Sequence, residues 1–384
     1  MSLTPSRVWL PWLAGLTLSL SCGDDAALIP PTPAPETDGP PAVVDADPGV
    51  DQPPPGDDAS TPDAADAGAD AEPPSPQPAP FTMVVLPDTQ YYAAAFHDIF
   101  PAQTQWIVNH RDDHQIAFVL HAGDIVDEDK PDQWDVAASA LHLLDGVVPY
   151  VLTAGNHDYG NLADRMGMIN AYFPPSSFAS TSWFGGTFED GHLENSFSLV
   201  TAGGRDWLLM SLEFGARDEV IAWADQVLKS HADRQAIIVT HAYLFGNDRY
   251  DHVKSPGQAW NPHTYVMTDQ AHTTINDGEE LWRKLIEPNS NVRFVLSGHV
   301  IAPGTGRLTS TRADGTSVHQ ILANYQSCAY PCEAVNGVRV NGGNGYLRLM
   351  RFDPAARQIS VTTYSPYTDD YFHDSENEFT LPWD

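Results

Sequence analysis

After position 80 the chain repeats one pattern: a short unbroken apolar run, closed by polar residues or glycine. The runs are FTMVVL from Phe81, QIAFVLHAGD from Gln115, VVPYVLTAGNHD from Val147, QAIIVTHAYL from Gln235 and VRFVLSGHV from Val292. Runs of this length without polar alternation predict strands covered on both faces. Helical patterns lie between them. PAQTQWIVNHRDD places Pro101 in a first turn. RDEVIAWADQVLKSHAD puts Val220, Trp223, Ala224, Val227, Leu228 and His231 on one face. DGEELWRKLIEP opens with acidic residues and stops at Pro288.

Three stretches break the alternation and predict hairpins, with turns at Gly203-Gly204, Asp314-Gly315 and Asp353-Pro354. An alternating α/β pattern with added antiparallel pairs predicts two mixed β-sheets packed together and flanked by helices, a four-layer α/β/β/α sandwich over residues 81–384. The long segment from Gly246 to Asp277 is rich in His, Trp and Tyr. It predicts a functional rim in which His252, His263, His272, Trp260 and Tyr265 line a cleft.

Composition separates this domain from what precedes it. Residues 1–22 carry one basic residue, Arg7, then an apolar stretch from Val8 to Leu20, too short to span a bilayer and readable as an export signal. Small residues before Cys22 match a lipoprotein-type signal in which that cysteine is lipidated, although Ser19 stands where a leucine is usual. Residues 23–80 hold 16 of the 32 prolines and 13 acidic residues, with no Lys or Arg, and read as a disordered, charge-extended linker. The expected location is therefore exported: lipid-anchored and facing the periplasm or cell surface, or secreted. The domain has a formal charge of −20, which argues against a nucleic-acid partner and leaves membrane contact to the lipid anchor. Cys328 and Cys332, in CAYPC, are spaced for a local disulfide in an exported protein.

Each of the five apolar runs ends in a group that could hold a metal: Asp88, Asp124, Asn156 with His157, His241 and His299. One such end is ordinary turn chemistry. Five together predict a site beyond the carboxyl ends of the strands. Oxygen and imidazole donors without thiolate suit divalent Mn, Fe or Zn, and a carboxylate shared between two cations would form the clamp used for hydrolysis at phosphorus.

The ordered blocks GDIVDE at Gly123, GNHD at Gly155, His241 and GH at Gly298 resemble those of the calcineurin-like metallophosphoesterases. That resemblance implies a phosphate mono- or diester substrate, two divalent metal ions and attack by a metal-bound hydroxide. It further implies that Asp124 bridges both metals, that Asn156, His241 and His299 complete one site, and that Asp88 serves the other. His157 would act on the substrate side with Asp158 orienting it. Two departures fall on the Asp88 metal. Gln90 stands where the family has His after Asp-x, and Ile301 stands where it has the last His. Gln90 keeps a carbonyl oxygen, Ile301 offers nothing, and Asn324, Tyr325 and Gln326 are candidates to replace the missing groups. His252 is a further substrate-side candidate. The altered site also allows a one-metal hydrolase, or a surface-displayed binding domain with weakened catalysis.

Overall fold

The computed structural model describes residues 78–265, 267, 274–326 and 341–383. Residues 1–77, with Cys22, lie outside the described residues, as do His272, Cys328 and Cys332.

Among the described residues the strands form two seven-stranded sheets and one two-stranded ribbon, Leu244–Phe245 with Asp248–Arg249. The first runs Asp370–Tyr371, Gln358–Ser365, Leu347–Asp353, Phe81–Leu86, Ile116–His121, Tyr150–Leu152, with Phe379–Pro382 also paired to Gln358–Ser365. Its last three strands are parallel, and the C-terminal hairpin returns to pair antiparallel with Phe81–Leu86. The second runs Thr305–Thr311, Ser317–Ala323, Val292–Ser297, Gln235–Thr240, Arg205–Leu212, Ser196–Ala202, Phe184–Thr187. Here four parallel strands are flanked by antiparallel edges. The three predicted hairpins form with the expected turns.

Strand side chains alternate between the two faces of a sheet, and the apolar runs divide accordingly. Met83, Val85, Phe118 and Leu120 of the first sheet join Trp207, Leu209, Ile237, Val239, Phe294 and Leu296 of the second in one buried layer. The intervening residues Val84, Leu86 and Val119, and Leu208, Ala236 and Ile238, face helices instead. That division produces the four layers. The helix Asp218–Ser230 buries Val220, Ile221, Ala224 and Leu228, with Trp223 and Val227 half-buried, so its apolar face is turned toward Ile221 relative to the predicted one. The helix at Gly278–Leu281 continues as one π turn, Trp282–Ile286, just before Pro288.

The inter-sheet layer is anchored by aromatic packing. Trp207, fully buried, has ring centroids of Phe352 at 5.5 Å, Phe81 at 5.8 Å and Trp383 at 6.1 Å, and its indole N–H donates to Ala202 O at 3.1 Å. Truncating a fully buried Trp costs roughly 3–5 kcal/mol. Trp207→Ala is therefore expected to lower unfolding stability by an amount in that range in urea titrations followed by circular dichroism. A loss below about 1 kcal/mol would contradict the tight inter-sheet layer.

Candidate metal centre

The loops that leave the parallel strands converge from both sheets. The first sheet supplies Asp88 after Phe81–Leu86, Asp124 after Ile116–His121 and Asn156 after Tyr150–Leu152. The second supplies His241 after Gln235–Thr240, His299 after Val292–Ser297, and Asn324 and Gln326 after Ser317–Ala323. Two of these residues hold left-handed backbone, Asp124 with φ 51° and His299 with φ 74°. Such conformations cost on the order of 1–3 kcal/mol each and persist where the surroundings impose them. The glycines of the motifs are explained by approach distance. A Cβ on Gly155 would run into the Asp124 carboxylate, and one on Gly298 into that of Asp88.

Candidate ligand atoms of Asp124, His241 and His299 all lie within 4.8 Å of one another, and all three residues are buried. His241 Nδ1 donates to Ala122 O at 2.8 Å, because a carbonyl can only accept. Nε2 is then left as the other ring nitrogen. It sits 3.0 Å from Asp124 Oδ2, yet this buried atom is not aligned for a hydrogen bond with any partner. A carboxylate oxygen and an imidazole nitrogen held this close, with a third donor on His299 within 4.8 Å, are placed to share one cation. His299 is oriented the same way, its Nε2 donating to Trp260 O at 2.8 Å and leaving Nδ1 free. The buried Oδ1 of Asn156 also has no hydrogen-bond partner. The partnerless His241 Nε2 and Asn156 Oδ1, beside the Asp124 carboxylate and the remaining ring nitrogen of His299, make a donor set that fits a divalent cation.

The electrostatics agree. Burial alone would raise Asp124, but the His241 and His157 imidazoles hold it well below the usual carboxylate range. Burial alone would lower His241, but the Asp124 and Asp88 carboxylates push it up to about 9. Without a cation, a proton is drawn to the position between those groups. Burial, helped by the charge on His241, holds His299 down at about 3, as a neutral imidazole.

Asp88 is handled differently. It is buried, and burial with the neighbouring Asp124 pushes its carboxyl up to about 8 against the pull of His241. Its Oδ2 accepts Asn324 Nδ2 at 2.7 Å, the His299 backbone N–H at 3.1 Å and Gln326 Nε2 at 3.2 Å. Asn324 Oδ1 is spent on Gln326 N at 2.9 Å, which fixes its amide with nitrogen toward Asp88. Asn324 is thus a donor to the carboxylate, whereas the sequence made it a candidate replacement ligand. Gln90 places Nε2 on Asp127 Oδ1 at 2.8 Å. The amide oxygens of Gln90 and Gln326 are both buried without a hydrogen-bond partner. Ile301 is 37% exposed and adds no ligand atom.

His157 lies over the centre on a half-exposed turn, and its backbone N–H donates to Asp124 Oδ1 at 3.0 Å. The expected partnership with Asp158 is corrected by the geometry. Both Asp158 oxygens are taken by backbone, Oδ1 by Val126 N at 3.0 Å and Oδ2 by Gly155 N at 2.8 Å. Asp158 therefore ties the GNHD loop to the GDIVDE loop. The ring of His157 is oriented by Asp127, whose carbonyl accepts Nδ1–H at 2.7 Å. Burial lowers His157, but the Asp124 carboxylate and Asp127 outweigh it and leave the imidazole above its ordinary value.

Other sequence candidates separate. Tyr325 points away, its hydroxyl 3.0 Å from Thr363 Oγ1 and Asn377 Oδ1 and 2.9 Å from Arg348 Nε, so it supports a strand and not a substrate. His252 bonds Asp277 Oδ2 at 2.8 Å in a cluster with His263 and Glu280, apart from Asp88. His121 meets Thr89 Oγ1 at 2.9 Å and accepts Gly123 N at 3.1 Å, which braces the loops that carry Asp88 and Asp124. Asp127 and the carbonyl of Trp260 had no role in the sequence reading. Asp127 lies inside GDIVDE and could have been tested there, but a backbone carbonyl from a distant loop leaves no signal in sequence.

A family model described as calcineurin-like phosphoesterase matches residues 81–303. The chain is 34% identical over 320 residues to the uncharacterized protein YvnB of Bacillus subtilis, covering 79% of this chain and 22% of that protein. It thus spans about a fifth of the length of that relative. Among solved structures, it is similar to purple acid phosphatase PPD1 from yellow lupin (Lupinus luteus) seeds, with 15% identity, TM-score 0.45, and coverage of 80% of this chain and 55% of that one. PhoD gives 11% identity, TM-score 0.44 and coverage of 81% and 71%, and GAP50 of Plasmodium 11%, 0.44, and 79% and 89%. The family model covers more than half of the sequence, including every strand end that contributes Asp88, Asp124, Asn156, His241 and His299, and the chain belongs to the calcineurin-like phosphoesterase family.

Proposed function

We propose that this chain is an exported, metal-dependent hydrolase of phosphate mono- or diesters. The observation that carries this reading is the buried convergence of Asp124, His241, His299 and Asn156, with His241 Nε2 and Asn156 Oδ1 both lacking hydrogen-bond partners. When bound there, cations lower the pKa of water and neutralise phosphoryl oxygens. The chain's residues do the rest. Asp124 offers Oδ2 toward His241 while Oδ1 takes the His157 backbone N–H, so the carboxylate and the acid candidate move as one piece. Asp127 holds His157 Nδ1–H, which leaves Nε2 to give a proton to the departing oxygen. Asp158 keeps the two loops in register.

A second cation would be held by Asp88 and Asp124 with the unpartnered oxygens of Gln90 and Gln326. An amide with its nitrogen on a carboxylate presents its oxygen elsewhere, and both of these oxygens are buried. That set contains oxygen alone, in contrast to the imidazole-rich first site, and suits a harder ion such as Mn or Mg. Residues 1–22 would direct export and Cys22 would carry the lipid that anchors the domain through the acidic linker.

Full-length protein assayed with aryl phosphate mono- and diesters in Mn, Zn or Fe is expected to turn over. His157→Ala should reduce kcat about 10²–10⁴-fold, the usual contribution of a positioned general acid. Unchanged activity in His157→Ala or Asp124→Asn would overturn these roles. Gln90→Leu and Gln326→Leu should each lower the bound Mn by one equivalent in elemental analysis while zinc binding persists; Mn content unchanged from wild type in both variants would refute the oxygen-only site. Cys22→Ala should move the protein from the membrane to the soluble fraction on cell fractionation, and retention at the membrane would argue against a lipid anchor.

A further inference from the structure

We propose a second metal site, distinct from the centre above, in which His252, His263, Asp277 and Glu280 hold a zinc-class divalent cation and pin the Asp251–Tyr265 segment beside His299. The candidate ligand atoms of these four residues all lie within 4.8 Å of one another. His252 Nδ1 is 2.8 Å from Asp277 Oδ2 and 3.9 Å from Glu280 Oε2, and His263 Nε2 is 2.7 Å from Glu280 Oε2. Two imidazole nitrogens and two carboxylate oxygens are a common donor set for zinc, whose bonds of about 2.0–2.2 Å would seat it among atoms this close.

Charge distinguishes a metal site from a plain hydrogen-bonded cluster. The Asp277 side chain is 1% exposed and that of Glu280 16% exposed. The two imidazole rings lie 3.7 Å apart, centroid to centroid, so one ion can reach both. Lys284 gives its hydrogen bonds to Asn276 at 2.6 Å and Asp218 at 2.8 Å, and Arg249 bonds Glu279 at 2.7 Å. One dication would balance the charge of both carboxylates while bound to both rings.

The position gives the site a purpose. Asn261 Nδ2 contacts Asp277 Oδ2 at 3.3 Å, and Asn261 Oδ1 accepts His263 N at 2.9 Å. The preceding residue, Trp260, holds left-handed backbone with φ 59° and turns its carbonyl onto His299 Nε2 at 2.8 Å. A cation at this cluster would therefore hold the backbone that orients His299. The four residues are positioning residues for the main centre.

Metal content of the full-length protein tests this. Zinc-loaded, desalted wild type and His263→Gln are compared by elemental analysis, with circular dichroism as the check on folding. Glutamine can still donate to Glu280 but is a poor zinc ligand, so His263→Gln is expected to lose one zinc equivalent and keep its fold. An Asp124→Asn/His241→Ala double variant should retain that equivalent, and cobalt loaded into it should give the visible absorption of a tetrahedral site, lost on adding His263→Gln. Unchanged zinc in folded His263→Gln, or a folded double variant without zinc, would overturn the proposal. Because the readout is metal bound with the main centre disabled, it is independent of whether the chain hydrolyses phosphate esters.

Discussion

The contact between Asp124 Oδ2 and His241 Nε2, 3.0 Å apart and unaligned, is the interaction on which the rest of the centre depends. A buried carboxylate and a buried imidazole nitrogen are costly unless something positive lies between them. The neighbouring architecture keeps them apart and aimed. Ala122 O fixes the His241 tautomer, the left-handed backbone at Asp124 turns its carboxylate inward, and Gly155 leaves space for it. Asp158 then fastens the loop that brings His157 and Asn156 to the same point.

The sandwich explains why the ligands come from both sheets. Alternate strand residues are committed either to the aromatic layer between the sheets or to the flanking helices. Most strand positions in the parallel core are thereby taken, and the candidate ligands gather in the loops where the parallel strands of both sheets end. Rigid strands below and mutually bonded loops above hold side chains that are far apart in sequence.

The altered first block shows how a missing ligand changes a neighbourhood. Gln90 does not simply substitute for an imidazole. It bonds Asp127, and Asp127 orients His157, so the residue that departs from the family pattern lies two contacts from the candidate acid. On the other side of Asp88, Asn324 and Gln326 supply N–H donors to a carboxylate in otherwise poor solvation. The departure at Gln90 is thereby accompanied by a hydrogen-bond network around Asp88.

Much of this was legible in sequence because it is local. Unbroken apolar runs ending in Asp, Asn or His specified strands and their loop ends, Gly-Gly and Asp-Gly marked hairpins, and the ordered GDIVDE, GNHD and GH blocks marked the residues that meet. Partnership was not legible. The family resemblance implied that Asp158 orients His157, yet a turn of three residues sends the two side chains in different directions, one to backbone N–H groups and the other to Asp127. Tyr325 sits between two residues that face Asp88, and strand-end alternation turns it away. The Trp260 carbonyl on His299, and the meeting of His252 with Asp277 and Glu280, join segments that no local pattern relates. The sequence by itself determined which residues could carry charge and electron pairs and where the chain would turn. Only the tertiary structure decided which of them share a buried point, because hydrogen-bond direction and burial arise from packing between distant segments.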